Sequence, residues 1–254
     1  MNTPHSQLRD RGDGSLVIDL VIAAYRENTS WITPMTHGIP NLRIQLFCKS
    51  HDLEDPRCQY LPNIGQDHYV TLKYIIDNYD RLPDVMVVTH NSILRGEWNW
   101  LLKRKLEYVL DDMQNTSSQL NFVRNVGFKA MSHTRPGLYL PWNDQFHIDH
   151  YRRGSGSKAR PLCLSNTRPI GRWYRKYVDP RMNRTHMRRV GVSYNDIYAV
   201  SRERVLWYTK SIYQSLLDQI DACGERPAEI DHYLERVVRP MYATDRDRDE
   251  HGGR

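Results

Sequence analysis

The chain has 254 residues, 39% hydrophobic and 26% charged, with a formal net charge of +6. That composition excludes a disordered chain and supplies one large domain, or two small ones, with a real core. No apolar run is long enough to cross a bilayer, so no membrane span is expected. The opening MNTPHSQLRDRGDGS is polar and lacks the apolar stretch of a secretory leader, which makes the cytoplasm the default location. Cys48, Cys58, Cys163 and Cys223 lie far apart and form no CxxC pair, a spacing that supports neither a zinc site nor a disulfide framework.

Residues 1–15 are expected to be disordered. LVIDLVIAAY (16–25), apolar on both faces, reads as a central strand of a parallel sheet, interrupted only by Asp19. NLRIQLFCK (41–49) alternates and reads as a second strand. QDHYVTLKYIIDNYDRL places Val70, Tyr74, Ile75 and Asn78 on one helical face, with LPNIG as its punctuation. PDVMVVTH (83–90) is a third strand, ending at His90. This order predicts an α/β sheet with ligands at the strand ends.

EWNWLLKRKLEYVLDDM (97–113) reads as a helix, and FVRNVGFKAM (122–131) as a strand or a loop. Residues 132–185 are expected to be long ordered loops around a short helix, GRWYRKYV. GVSYNDIYAVS (191–201) returns to strand. RERVLWYTKSIYQSLLDQID (202–221) reads as one amphipathic helix, with Val205, Tyr208, Ile212, Leu216 and Ile220 on its stripe. PAEIDHYLERVVRPMY (227–242) is the last helix, burying Tyr233, Val237 and Met241 with Leu234 and Val238 beside them. Residues 243–254 are a charged tail. No internal repeat is present.

The positive charge is local. Residues 151–190 carry twelve Lys and Arg against one acid, Asp179. Such a long basic loop region is suited to phosphate groups of a nucleotide, a nucleic acid or an acidic acceptor. Trp173, Tyr174, Tyr177 and Val178 interleave with the charges and should pack. Arg172, Arg175, Lys176, Arg188 and Arg189 are the candidate phosphate ligands, since Arg grips phosphate in a bidentate manner. Asn63 and Gly65 precede a helix whose N-terminus favours an anion. Asn195 and Asp196, set between aromatics, suggest a turn that lines a site. In WNDQFHIDHY, Asp144, His147, Asp149 and His150 form a cluster that could serve a metal-dependent hydrolase, although its spacing matches no specific motif.

Four stretches, VIAAYRENTSWI, LPNIGQDHYVTLKYIIDNYDRLPDVMVVTH, YNDIYAVSRERV and DHYLERVVRPMY, resemble the signature blocks of the domain of unknown function 3431 family, covering most of residues 17–242. One departure is Gln66-Asp67, where a basic residue followed by Glu is expected. The closing pair, YNDIYAVSRE followed by HYLER, is also similar to glycosyltransferases of the galactofuranosyltransferase-like type. That resemblance implies a single GT-A-like α/β domain over 16–242, with a central, mostly parallel sheet flanked by helices.

It also implies a transferase moving a sugar from a UDP- or GDP-sugar donor to a glycan or other hydroxyl acceptor. Ala24, Tyr25, Arg26 and Glu27, at the end of the first strand, would then meet the nucleotide. Glu235 would be the general base, oriented by His232 one turn earlier, with Asp196 as the second candidate. No Asp-x-Asp stands at the end of a strand after a nucleotide-binding unit, and His90 ends the strand where one is expected. The reading is therefore a transferase with no dedicated metal site and no cofactor, a divalent ion such as Mn or Mg being left open. The alternatives are a nucleic-acid-binding protein using the basic block, disfavoured by the absence of any RRM, KH or helix-turn-helix signature, and the hydrolase of the 144–150 cluster.

Overall fold

The computed structural model describes residues 16–94, 99–131, 140–149, 161–180, 191–192 and 196–243. Its centre is a six-stranded sheet. In chain order the strands are β1 (Ile18–Ala24), β2 (Leu42–Cys48), β3 (Cys58–Tyr60), β4 (Val85–His90), β5 (Phe128–Ala130) and, after a two-stranded pair formed by β6 (Leu140–Pro141) and β7 (Gly191–Val192), β8 (Tyr198–Ser201). The spatial order is β3-β2-β1-β4-β8-β5. β3, β2, β1 and β4 run parallel, and β8 runs antiparallel to both of its neighbours. The fold is thus a mixed α/β sheet, mostly parallel.

All seven residues of β1 are buried. Val21 and Ala23 join one core, while Ile18, Leu20, Ile22 and Ala24 join the other. A strand covered on both faces has no room for polar alternation, which is why this segment reads as continuous apolar sequence. The exception, Asp19, is buried and held by the Arg43 guanidinium (2.5 and 2.8 Å) and by the Tyr74 hydroxyl. A buried carboxylate persists only with such partners.

One face of the sheet is covered by α2 (Gln66–Asn78), α5 (Ile170–Tyr177), α6 (Arg202–Val205), α7 (Lys210–Asp221) and α8 (Glu229–Tyr242). The other face is covered by α1 (Ile32–Thr36), α3 (Asn99–Leu110) and residues from α4 (Thr116–Asn121) onward. Val70, Tyr74 and Ile75 of α2 are buried as their spacing predicts, as are Trp173, Tyr174 and Val178. The five apolar residues expected on the buried face of α8 are buried too.

Three local expectations are corrected. Residues 202–221 form two helices, not one. The break at 206–209 is held by side chains that take its carbonyls: the Tyr79 hydroxyl donates to Tyr208 O (2.6 Å), and the Tyr213 hydroxyl donates to Val205 O (2.7 Å). Residues 122–131 are a last helical turn followed by β5. Gly127, at φ 71°, stops the turn with its N–H on Phe122 O. The strand expected over 191–201 is divided into β7 and β8, with Asp196 at φ 41° before the second.

The cysteines are corrected as well. Cys48 pairs with Cys58, and Cys163 with Cys223. Cys48 ends β2 and Cys58 starts its parallel neighbour β3, so the sheet places 5.4 Å between Cα atoms that sequence spacing alone leaves unrelated. No helix among the described residues is long and apolar enough to cross a membrane.

The turn into α2 is tightly built. Gly65 sits at φ 58°, and a Cβ there would meet Ile220 Cγ2 at 2.1 Å. Gly65→Ala therefore combines left-handed strain with overpacking, and should cost about 2 kcal/mol in urea unfolding with an unchanged m-value.

Candidate functional site

The sheet grows in opposite directions from β1: toward β2 and β3 on one side, toward β4 on the other. Parallel strands diverging in this way leave a crevice at their carboxyl ends. A cavity of about 390 Å³ opens there. Its walls are Tyr25 and Glu27 after β1, Lys49 after β2, His90, Asn91 and Ser92 at and after β4, the 63–67 turn into α2, and Glu225, Arg226 and Asp231 at the start of α8 and in the turn before it.

The walls are braced by hydrogen bonds. Asn91 donates to Glu27 O (2.5 Å) and accepts from the Trp31 indole (2.5 Å), so Trp31 is a buried brace. The Glu27 carboxylate accepts the N–H groups of Tyr25 and Arg26, both at 3.1 Å. The Lys49 ammonium donates to Ile64 O (2.6 Å) and to Gln66 O. Those carbonyls flank Gly65, and both Gly65 and Gln66 have positive φ. A buried cation thus holds a strained turn at the edge of the cleft. Burial lowers the Lys49 pKa to about 8, against the opposing pull of Asp67 and Asp231.

Behind the cleft, ionisable groups from four elements converge. Asp231, in the first turn of α8, is 3% exposed, and its Oδ1 has no hydrogen-bond partner. Burial raises its pKa to about 6, with His68 and Lys49 pulling the other way. His68 of α2 places Nε2 3.2 Å from Asp196 Oδ2. Burial lowers the imidazole; burial, then Glu235 and Asp67, push the Asp196 carboxyl up. Both shifts favour a neutral pair, in which a carboxylic acid donates to an unprotonated ring nitrogen. Lys105 of α3 is fully buried, its pKa lowered to about 8 by burial with Glu235 and Asp196 opposing. Glu235 accepts from Arg236 (3.2 Å), whose guanidinium lies 3.8 Å from the centre of the Phe146 ring.

A family model described as "Protein of unknown function (DUF3431)" matches residues 20–247. The chain belongs to this family. Comparison with curated proteins and with solved structures brought no match.

Of the residues expected from sequence in this DUF3431 chain, Ala24, Tyr25, Glu27, Asn63, Gly65 and His90 all line the cleft. Arg26 is exposed beside it, paired with Asp52 at 2.9 Å and stacked over Tyr25 at 4.9 Å. Glu235, His232 and Asp196, each partly buried, belong to the cluster behind the cleft, and Asp231 is one of four carboxylates on the cleft wall, with Glu27, Asp67 and Glu225. An acid in the first turn of a helix reads as a complement to the helix dipole, so nothing in the spacing singles Asp231 out. Lys49, His68 and Lys105 are equally silent in sequence, since a basic side chain matters here only through its burial.

Arg172, Arg175 and Lys176 lie on α5, which packs on α7, and none of them lines the cleft. Arg188, Arg189 and Asn195 lie outside the described residues, as do 1–15, most of the tail and much of the basic block. In the 144–150 cluster, Asp149 pairs with Arg168 at 2.6 Å, and Arg168 also reaches the fully buried Glu229 at 3.0 Å. Glu229 in turn accepts the N–H groups of Ile148 and Ser165, so these acids tie loops to α8. His150 lies outside the described residues, among which no three His, Cys, Asp or Glu are grouped to hold a metal.

Proposed function

We propose that the DUF3431 chain is a glycosyltransferase that binds a UDP- or GDP-sugar in the strand-end cleft and passes the sugar to a glycan hydroxyl. The observation that carries this reading is Asp231: a carboxylate in the wall of a polar cleft, 3% exposed, whose buried Oδ1 has no hydrogen-bond partner. An acceptor hydroxyl bound in the cleft would hydrogen-bond to this carboxylate. As its oxygen attacks the anomeric carbon, its proton passes to Asp231, and the bond from carbon to the diphosphate oxygen breaks with its electron pair on the diphosphate. Tyr25 offers a face to the base, and the N–H groups at the start of α2, with Arg226, offer stabilisation to the leaving diphosphate. Glu235 is reassigned from base to a charge that sets the proton affinities of Asp196 and Lys105.

The two disulfides favour an oxidising compartment over the cytoplasm for this chemistry. The reading is tested by nucleoside diphosphate release from a panel of UDP- and GDP-sugars, measured across pH with a glycan mixture as acceptor. Because the base must be ionised, release should rise with pH through about 6 and level off above it, following Asp231. A profile flat from pH 5 to pH 8 would remove Asp231 as the base.

A further inference from the structure

We infer that a second cavity, reached across Arg226 from the strand-end cleft, is the acceptor subsite and receives an uncharged saccharide ring. The inference rests on the transferase reading above. The cavity holds about 470 Å³. Arg226 lines both spaces. Ile230 lines the second cavity and Asp231, the next residue, lines the first, so the start of α8 is the partition between them. A ring seated in the second cavity would extend a hydroxyl past Arg226 toward the Asp231 carboxylate.

The walls suit a neutral sugar. Leu164, Tyr177 and Ile230 supply apolar surface for the C–H face of a ring, and Asn166 and Gln219 supply amides for its hydroxyls. Arg226 is the one charged side chain among the described residues of this wall, and it stands on the side of the cleft. Leu164 is 46% exposed, so its side chain is accessible to a ligand in this cavity.

The cavity is also preformed. The Cys163–Cys223 disulfide joins its two sides, Cys163 N–H donates to Pro227 O (2.8 Å), and Glu229 N–H donates to Cys163 O (2.9 Å). Trp173 fixes the Gln219 amide with an indole N–H at 2.9 Å. A wall already ordered before binding loses little entropy when a ligand arrives.

The test is an NMR titration of the full chain with methyl β-galactoside, methyl α-mannoside, methyl β-glucoside and methyl β-galactofuranoside. The variants are Leu164→Arg and Asn166→Ala, both at exposed positions that should leave folding intact. At least one glycoside is expected to bind with a Kd of about 1 mM, and each variant to weaken it about tenfold, while the affinity for UDP or GDP stays unchanged. No glycoside binding, or binding indifferent to both variants, overturns the subsite and leaves the donor cleft untouched. Glycoside binding without any nucleotide binding overturns the acceptor role together with the transferase reading.

Discussion

Asp231→Asn should lower turnover by about 10²- to 10⁴-fold, the usual contribution of a general base, while nucleotide affinity stays close to wild type. A second effect separates catalysis from structure. The Asp231 pKa is about 6 in the folded chain, against 3.8 for the free side chain. The native state therefore binds more protons between those values, and the stability contributed by this group is full below pH 3.8 and falls as pH rises through 6. Above that window an ionised carboxylate sits buried at a cost of about 3 kcal/mol. The Asn variant should be more stable than wild type at pH 8 and should lose that advantage at pH 4. A variant both inactive and less stable at pH 8 would mean that Asp231 holds the fold together, and the catalytic assignment would fall.

The second large effect is expected from Cys163→Ser with Cys223→Ser. The bond closes a sequence separation of 60 residues. Releasing it frees a loop in the unfolded chain worth about 4 kcal/mol, or a melting temperature lower by about 10 °C. The same bond anchors the turn carrying Glu225, Arg226 and Pro227, which form one wall of the cleft, and the entry to α8. Ligand affinity should therefore fall in the double variant even at temperatures where it is folded, as read by thermal unfolding and ligand titration on the same sample. Removal of Cys48–Cys58, which spans only 10 residues between adjacent strands, should cost less. Equal losses from both bonds would contradict the loop argument.

The sheet was legible because β1, β2 and β4 are runs whose burial on one or both faces is written into their residues. The cleft was legible to the same extent, because in a parallel sheet the segments after the strands must meet at one end, and Tyr25, Glu27, Asn63 and His90 all follow or end such elements. The cluster behind the cleft was legible only in part: Asp196, His232 and Glu235 stood out as candidates, and Asp231, His68 and Lys105 did not. His68 lies in α2, Lys105 in α3, Asp196 in a turn and Asp231 in α8, and only the packing of those four elements brings them together. The disulfides were hidden for the same reason: Cys163 meets Cys223 through an isolated parallel bridge between Cys163 and Ala228. The break at 206–209 escaped because Val205, Tyr208, Leu216 and Ile220 are all buried as a continuous stripe would demand, while hydroxyls from Tyr79 and Tyr213 capture the carbonyls that a continuous helix would need.

The most direct test of the central claim is a calorimetric titration of UDP, GDP and their sugar conjugates into the wild-type chain, with and without manganese, at pH 7. One nucleotide class should bind with a Kd on the order of 10 μM, and Asp231→Asn should bind it equally well. Absence of binding by every nucleotide, with and without the metal ion, would contradict the assignment of the strand-end cleft to a nucleotide sugar.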